Sequence, residues 1–371
     1  MRHVVVVGAG VFGVWTAFHL RQSGARVTLV DQYGPGNSRS SSGDESRIIR
    51  CGYGADEIYS RMALRSLELW AEFDATSRRA GPVDPPLLHR CGVLWMAHGD
   101  DPYTVATRRT LQSGPYVVEA LDVAALRARY PHLAADDVSM ALLEPECGVV
   151  MARRAVATLA AQLQLDGVEV VPARMTEPGE IEADAYVFAC GPWLSTVFPS
   201  LLAGRIRPTR QVVIYFGTPA GDDRFGPGQT PAWVDFQAGI FGVPELEGRG
   251  LKVGIDRHGP PFDPDSGDRA LDDESLATAR AWLEKRFPAM AGAPVVESRV
   301  CQYENTSSGD FLIDRHPAHD NVWIVGGGSG HGFKHGPAVG ELAARMVLTG
   351  APAEPRFSLD TKSAASSRSV Y

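Results

Sequence analysis

The chain opens on an apolar run, His3 to Val7, too short for a helix and bounded by glycine, as a buried strand would be. Val11, Val14, Trp15 and Phe18 then recur at helical spacing, and Arg26 to Val30 reads as a second buried strand ending in Asp31. A core-facing helix is predicted over 58–73 from Met62, Leu67, Trp70 and Phe73. Between 82 and 146 the pattern loosens into strands at 92–97 and 139–143 and helices at 105–111 and 123–129. A helix over 152–165, a strand at 168–171 and another at 185–189 return the chain to its opening pattern. From 207 to 300 strands dominate, at 211–216, 232–236, 240–243 and 251–255, with one helix over 274–287. A last buried strand, 321–325, precedes a glycine-rich run and a helix over 337–348.

The first strand runs into Gly8-Ala9-Gly10-Val11-Phe12-Gly13. Glycines at this spacing permit a tight strand-to-helix turn and close backbone approach to a pyrophosphate, which makes Gly8, Gly10 and Gly13 candidate cofactor contacts. The phosphate charge then rests on the positive end of the helix. Asp31, roughly 20 residues further on, stands where an acceptor for a ribose hydroxyl is expected. The motif predicts a dinucleotide without distinguishing FAD from NAD. The loop Gly34 to Ser46 is rich in glycine and serine, suiting a linker or, through residues such as Ser41, a cradle for phosphate or a flavin ring. Arg47 and Arg50 follow; they share a face if helical and point apart if extended. Gly191 and Trp193, beyond the strand at 185–189, are further candidate cofactor contacts.

Composition narrows the class. The 371 residues, 44% apolar, suffice for two or three domains with a sizeable core. A formal charge of -8 with dispersed arginines excludes a nucleic-acid surface. The absence of a long apolar run, and a first strand beginning at His3, lead to the expectation of a cytoplasmic chain without a membrane span. Cys51, Cys91, Cys147, Cys190 and Cys301 contain no C-x-x-C pair, so neither a disulfide framework nor a metal site is expected.

Of 36 basic residues only Lys252, Lys285, Lys334 and Lys362 are lysine. Where arginine is the default, a retained lysine marks a candidate for a compact, tunable ammonium. Lys285 reads as solvated surface, and Lys362 adjoins a Ser/Ala-rich tail, 363–370, expected to be loosely attached. Strand periodicity puts Lys252, Gly254 and Asp256 on one face. That face is either solvated with a weak ion pair or a cavity wall where Gly254 leaves ligand space, with Phe241 and Val243 brought alongside by a hairpin. Beside a flavin, a fixed ammonium at Lys252 would stabilise charge developing on reduced oxygen.

Gly326-Gly327-Gly328-Ser329-Gly330-His331-Gly332-Phe333-Lys334 holds more glycine than a simple turn needs. It implies backbone packed on a flat ligand, with Gly328, Gly330, Gly332, Phe333 and Lys334 as cofactor contacts and Lys334 also able to bind a substrate carboxylate. His331 and His335 lack acidic or thiol companions nearby in sequence, so they are not read as metal ligands. Gly328-Ser329-Gly330 is at the wrong offset for a hydrolase nucleophile elbow.

Gly8 to Gly13, Gly43 to Arg50, Cys301-Gln302-Tyr303 with Phe311 to Asp314, and Ser329 to Lys334 together resemble the monomeric sarcosine oxidases, FAD-dependent amine oxidases of the D-amino-acid-oxidase superfamily. The resemblance spans nearly the whole chain. It implies an α/β plus α+β fold. A Rossmann-type FAD-binding domain (1–81, 147–206 and 301–371) would be interleaved with a mostly antiparallel substrate domain (82–146 and 207–300).

It further implies FAD joined covalently through Cys301, Arg47 against the flavin, Arg50 and Lys334 on the substrate carboxylate, and Lys252 activating oxygen. The implied partners are a small amino acid and O2, and the implied state is a monomer. The reaction would oxidise the C–N bond of a secondary or N-methyl amino acid, giving an imine and hydrogen peroxide. Asp256 stands where a sarcosine oxidase has histidine and Phe241 where it has tyrosine, and the loop before Arg47 is one residue longer. Asp256 could accept the amine proton, making it a candidate catalytic and substrate-binding residue beside Phe241. These departures admit a cyclic imino acid of the pipecolate or proline type, or a biosynthetic intermediate. The remaining alternatives are an FAD dehydrogenase using another acceptor and a non-catalytic electron-transfer subunit.

Overall fold

The computed structural model describes residues 1–79 and 85–364. His3–Val7 lies inside a six-stranded sheet ordered Leu312–Arg315, Val322–Gly326, Ala185–Phe188, His3–Val7, Arg26–Val30 and Glu169–Val171. Only the first pairing is antiparallel. Parallel strands covered on both faces need apolar residues at every position, which explains the unbroken valine run. Val4 and Val6 pack with Trp15, Leu20, Leu159 and Val339 on one side. Val5 and Val7 pack with Phe188, Leu194 and Phe198 on the other.

A second, eight-stranded sheet is ordered Val295–Asn305, Arg207–Phe216, Leu251–Ile255, Ile240–Val243, Ala232–Asp235, Val93–Ala97, Met140–Glu144 and Glu119–Leu121. Its pairings are antiparallel except Ala232–Asp235 with Val93–Ala97. Helix Asp273–Arg286 covers it, with Trp282 stacked on Trp233, ring centroids 5.6 Å apart. A small third sheet, Arg47–Ile49, Gly148–Val150 and Leu88–His89, carries Arg47.

Helices Ala152–Leu165 and Val123–Arg129 match the periodicity, whereas the helix expected at 58–73 extends over Glu57–Arg79. The long strand Val295–Asn305 is not marked by its pattern, because its first half is exposed or half-buried and mixes two exposed valines with polar residues. It pairs with Arg207–Phe216 and carries Cys301, so a division at 300/301 falls within one strand. The 81/82 division lies outside the described residues.

Lys362 is not loosely attached. Its ammonium is buried and donates to Arg356 O at 2.8 Å and Thr361 Oγ1 at 2.9 Å, while Ser363 N donates to Ser307 Oγ at 3.1 Å. A small-residue composition signals weak burial capacity but cannot register specific polar anchors. Of the expected tail, 365–370 lies outside the described residues. Lys285 is exposed as expected, paired with Asp137 at 2.6 Å.

Candidate active site

A cavity runs along the carboxyl ends of the six-stranded sheet. It is lined by Gly8, Gly10, Asp31, Ser41, Arg47, Gly191, Trp193, Cys301, Gly328, Gly330, Gly332 and Phe333. This is where an open α/β sheet binds its ligand. Gly8 has φ 101°, and a side chain there would overlap the backbone of Ala189. Helix Val11–Gln22 has no side-chain cap of its own; Val11 N donates instead to Ser42 Oγ, 3.0 Å away. Asp31 accepts from Ala9 N and Tyr33 N, both at 2.8 Å, and removal from water raises its pKa. Gly13, expected as a cofactor contact, does not line the cavity; a Cβ there would overlap Gly8 O, so it serves helix-to-turn packing.

Arg47 and Arg50 point apart, as an extended segment requires. Arg47 pairs with Asp44 and donates to Ser41 O at 2.9 Å and Cys301 Sγ at 3.3 Å. Lys252 is 1% exposed and donates to Asp44 Oδ2 at 2.6 Å and Ser46 O at 2.8 Å. Its face of the strand is therefore not solvated, and its ion-pair partner is Asp44 instead of Asp256. Burial opposes ionisation of Asp44, but Lys252 and Arg47 outweigh it and hold the carboxyl well below its usual range. Burial also pulls Lys252 down to about 8, against the pull of Asp44.

On the other side of the arginine pair, the Arg50 guanidinium lies 4.5 Å from the Tyr53 ring centre and 4.7 Å from that of Trp95. Lys334, buried in the turn Phe333–His335, donates to Tyr53 Oη at 2.9 Å and His331 O at 3.0 Å. Burial and the nearby Arg50 charge depress its pKa well below the ordinary value. Lys334 does not line the dinucleotide cavity, which separates it from the cofactor contacts expected of it. Asp256 accepts from Tyr303 Oη at 2.7 Å. Removal from water raises its pKa to about 6, opposed by Tyr303, Arg50 and Lys334.

Phe241 faces Gly254 in the hairpin, as expected, and Val243 faces Lys252. The space at Gly254 is not open to a ligand: a Cβ there would overlap the Phe241 ring. Periodicity gives the face a residue shares but not the side chain that covers it.

His331 and His335 are hydrogen-bonded within the aromatic core, at 3.3 Å and 2.7 Å from Tyr53 Oη. Folding also unites Cys51 and Cys147, Sγ atoms 3.9 Å apart, with Glu144. Glu144 accepts from Cys51 N and Trp95 Nε1, both at 2.7 Å, and lies 3.4 Å from Cys147 Sγ. Site residues missed from sequence are Ser42, Asp44, Tyr53, Tyr303 and Glu304. Ser42 and Asp44 lie in the glycine- and serine-rich loop and Tyr303 follows Cys301 in the motif of the resemblance, whereas Tyr53 and Glu304 left no local trace.

The cavity fits FAD by its glycine turn, its capped helix start and its acid at the second strand. The match to the FAD dependent oxidoreductase family covers residues 3–346. Monomeric sarcosine oxidase of Bacillus sp. (strain B-0618) is 30% identical, over 94% of this chain and 92% of that protein. N-methyl-L-tryptophan oxidase of Salmonella arizonae is 27% identical, over 94% and 95%. L-proline dehydrogenase from P. horikoshii shares the fold with a TM-score of 0.81 at 20% identity, covering 96% of each chain. Among the described residues no helix is long and apolar enough to cross a membrane. With its dinucleotide turn, interleaved sheets and buried cations, the chain belongs to the FAD-dependent oxidoreductases, as a flavin-dependent amine oxidase of the sarcosine oxidase type.

Proposed function

We propose that the protein oxidises the C–N bond of a secondary or N-methyl amino acid, yielding an imine and hydrogen peroxide, with FAD attached through Cys301. The observation that carries this reading is the placement of Arg50 and Lys334 on the Tyr53 ring, with the Asp256 carboxyl exerting charge on both. Two cations orient a substrate carboxylate, and a carboxyl whose pKa is about 6 can take the amine proton near neutrality. Bound flavin supplies the acceptor for the hydride equivalent from the carbon beside nitrogen and returns the electrons to oxygen.

Lys252 supplies fixed positive charge toward the oxygen being reduced, and Arg47 holds the sulfur of Cys301, the atom that would carry the attachment, by a hydrogen bond at 3.3 Å. Residues 1–81, 147–206 and 301–371 hold the cofactor, and 82–146 with 207–300 shape the substrate side. The protein works as a monomer. None of the five cysteines is disulfide-bonded, which accords with a reducing, cytoplasmic setting.

The test is an anaerobic panel of N-methyl and cyclic secondary amino acids scored by bleaching of the flavin, followed by peroxide measurement in air. Bleaching with stoichiometric peroxide is expected. Bleaching without peroxide would assign a dehydrogenase, and no bleaching by any amine would assign an electron-transfer subunit.

A further inference from the structure

Glu304 is a buried acid that the chemistry above does not use. It sits near the end of strand Val295–Asn305, 7% exposed, and lines the dinucleotide cavity. Its Oε1 accepts from Gly328 N at 3.1 Å. Its Oε2 is buried without a hydrogen-bond partner. No cation compensates it: burial pushes the carboxyl up to about 7, opposed only by the amides of Gly328 and Gly327. Three glycines lie against it, two of them, Gly191 and Gly328, in the cavity wall. A Cβ on Gly328 would lie 3.1 Å from Oε1, and a Cβ on Gly326 or Gly191 would lie 3.3 Å or 3.8 Å from Oε2.

A buried carboxyl oxygen left without a donor is destabilising until one meets it. The order of the sheet says which donor. Asp31 ends the strand Arg26–Val30, Gly8 and Gly10 follow its neighbour His3–Val7, Gly191 follows Ala185–Phe188, and Gly327 and Gly328 follow Val322–Gly326. A dinucleotide laid across these ends meets, in turn, a ribose acceptor at Asp31, the helix start that takes the pyrophosphate, and then Glu304. A phosphate would be repelled by Glu304 and is already provided for at the helix. What remains between the pyrophosphate and the ring beside Arg47 and Cys301 is the polyol linker.

We propose that Glu304 is a cofactor-binding residue whose free carboxyl oxygen accepts a hydrogen bond from a ribityl hydroxyl of FAD. The assignment rests on the FAD reading of the cavity. It makes Glu304 a discriminator of the linker, separate from the residues that hold the adenosine ribose and the phosphates.

The test uses the full chain with Cys301→Ser, so that binding is reversible, and measures the dissociation constant for FAD and for an FAD analogue with a deoxygenated ribityl chain. Glu304→Leu is expected to weaken FAD at least tenfold, while Glu304→Gln, which keeps an acceptor, stays within about threefold. The deoxygenated analogue is expected to bind the Cys301→Ser protein with equal affinity whether or not it also carries Glu304→Leu. Thermal unfolding of the apo forms separates misfolding from lost contact. Equal FAD affinity in Glu304→Leu would overturn the proposal, as would an equal loss for both cofactors. Failure of the Cys301→Ser parent and the unaltered chain alike to take up any FAD would instead overturn the cofactor reading.

Discussion

The Tyr303 hydroxyl donates to Asp256 Oδ1 at 2.7 Å, joining the strand that carries Cys301 to the end of the strand that carries Lys252. The phenol holds the carboxyl of Asp256 lower than burial alone would set it, and the result is a pKa of about 6. If Asp256 takes the substrate proton, kcat/KM rises with pH through about 6, since the carboxylate is the competent form. Asp256→Asn is expected to abolish that limb and lower kcat/KM by about 10²–10⁴-fold. Tyr303→Phe removes the donor and is expected to move the limb to higher pH. A pH–rate profile unchanged in both variants would remove Asp256 from the proton path.

Lys252 and Asp44 form an ion pair in which both side chains are buried. Lys252→Met is expected to slow reoxidation of the reduced enzyme by oxygen about 100-fold or more, leaving anaerobic reduction by substrate near its original rate. Stopped-flow measurement of the two half-reactions checks this. Equal slowing of both would make the residue structural, because stripping one partner from a buried pair also destabilises by about 3–5 kcal/mol.

Cys301 Sγ stands 3.3 Å from the Arg47 guanidinium at the cavity wall. Acid precipitation of the purified protein is expected to leave the yellow chromophore with the polypeptide, and Cys301→Ser to release it into the supernatant. Free FAD recovered from the unaltered chain would disprove covalent attachment while leaving the binding cavity unaffected.

Gly254 is filled by the Phe241 ring, so an added methyl must displace that ring. Gly254→Ala is expected to lower stability by about 1–3 kcal/mol. It is also expected to raise KM while leaving flavin content unchanged, and Phe241→Leu added to it should recover part of both losses. Thermal unfolding and steady-state kinetics measure the two effects, and an unaltered KM would place Phe241 outside the substrate site.

Local periodicity made the parallel strands and most helices legible, because burial on both faces or along one stripe leaves a repeating apolar signature. Val295–Asn305 left none, since its first half borders solvent and its second half lines a cavity. The long-range partners were also hidden: Ser42 caps a helix that starts 31 residues earlier, and Asp44 meets Lys252 across 208 residues. The scarcity of lysine singled out Lys252 and Lys334, both buried, but it misjudged Lys362, whose anchors are carbonyl and hydroxyl groups invisible to composition. Glycine counts located the cavity correctly at Gly328 and Gly330, yet the same logic failed at Gly254, where an aromatic ring occupies the vacancy.

The strand Leu251–Ile255 has Lys252 near one end and Asp256 just beyond the other, about 13 Å apart at the usual rise per residue. Each answers to its own partner, Asp44 or Tyr303, with no contact between the two pairs required. On the roles proposed above, a change at one terminus of this short segment would retune which amine is accepted and leave the machinery for disposing of electrons unaltered at the opposite terminus.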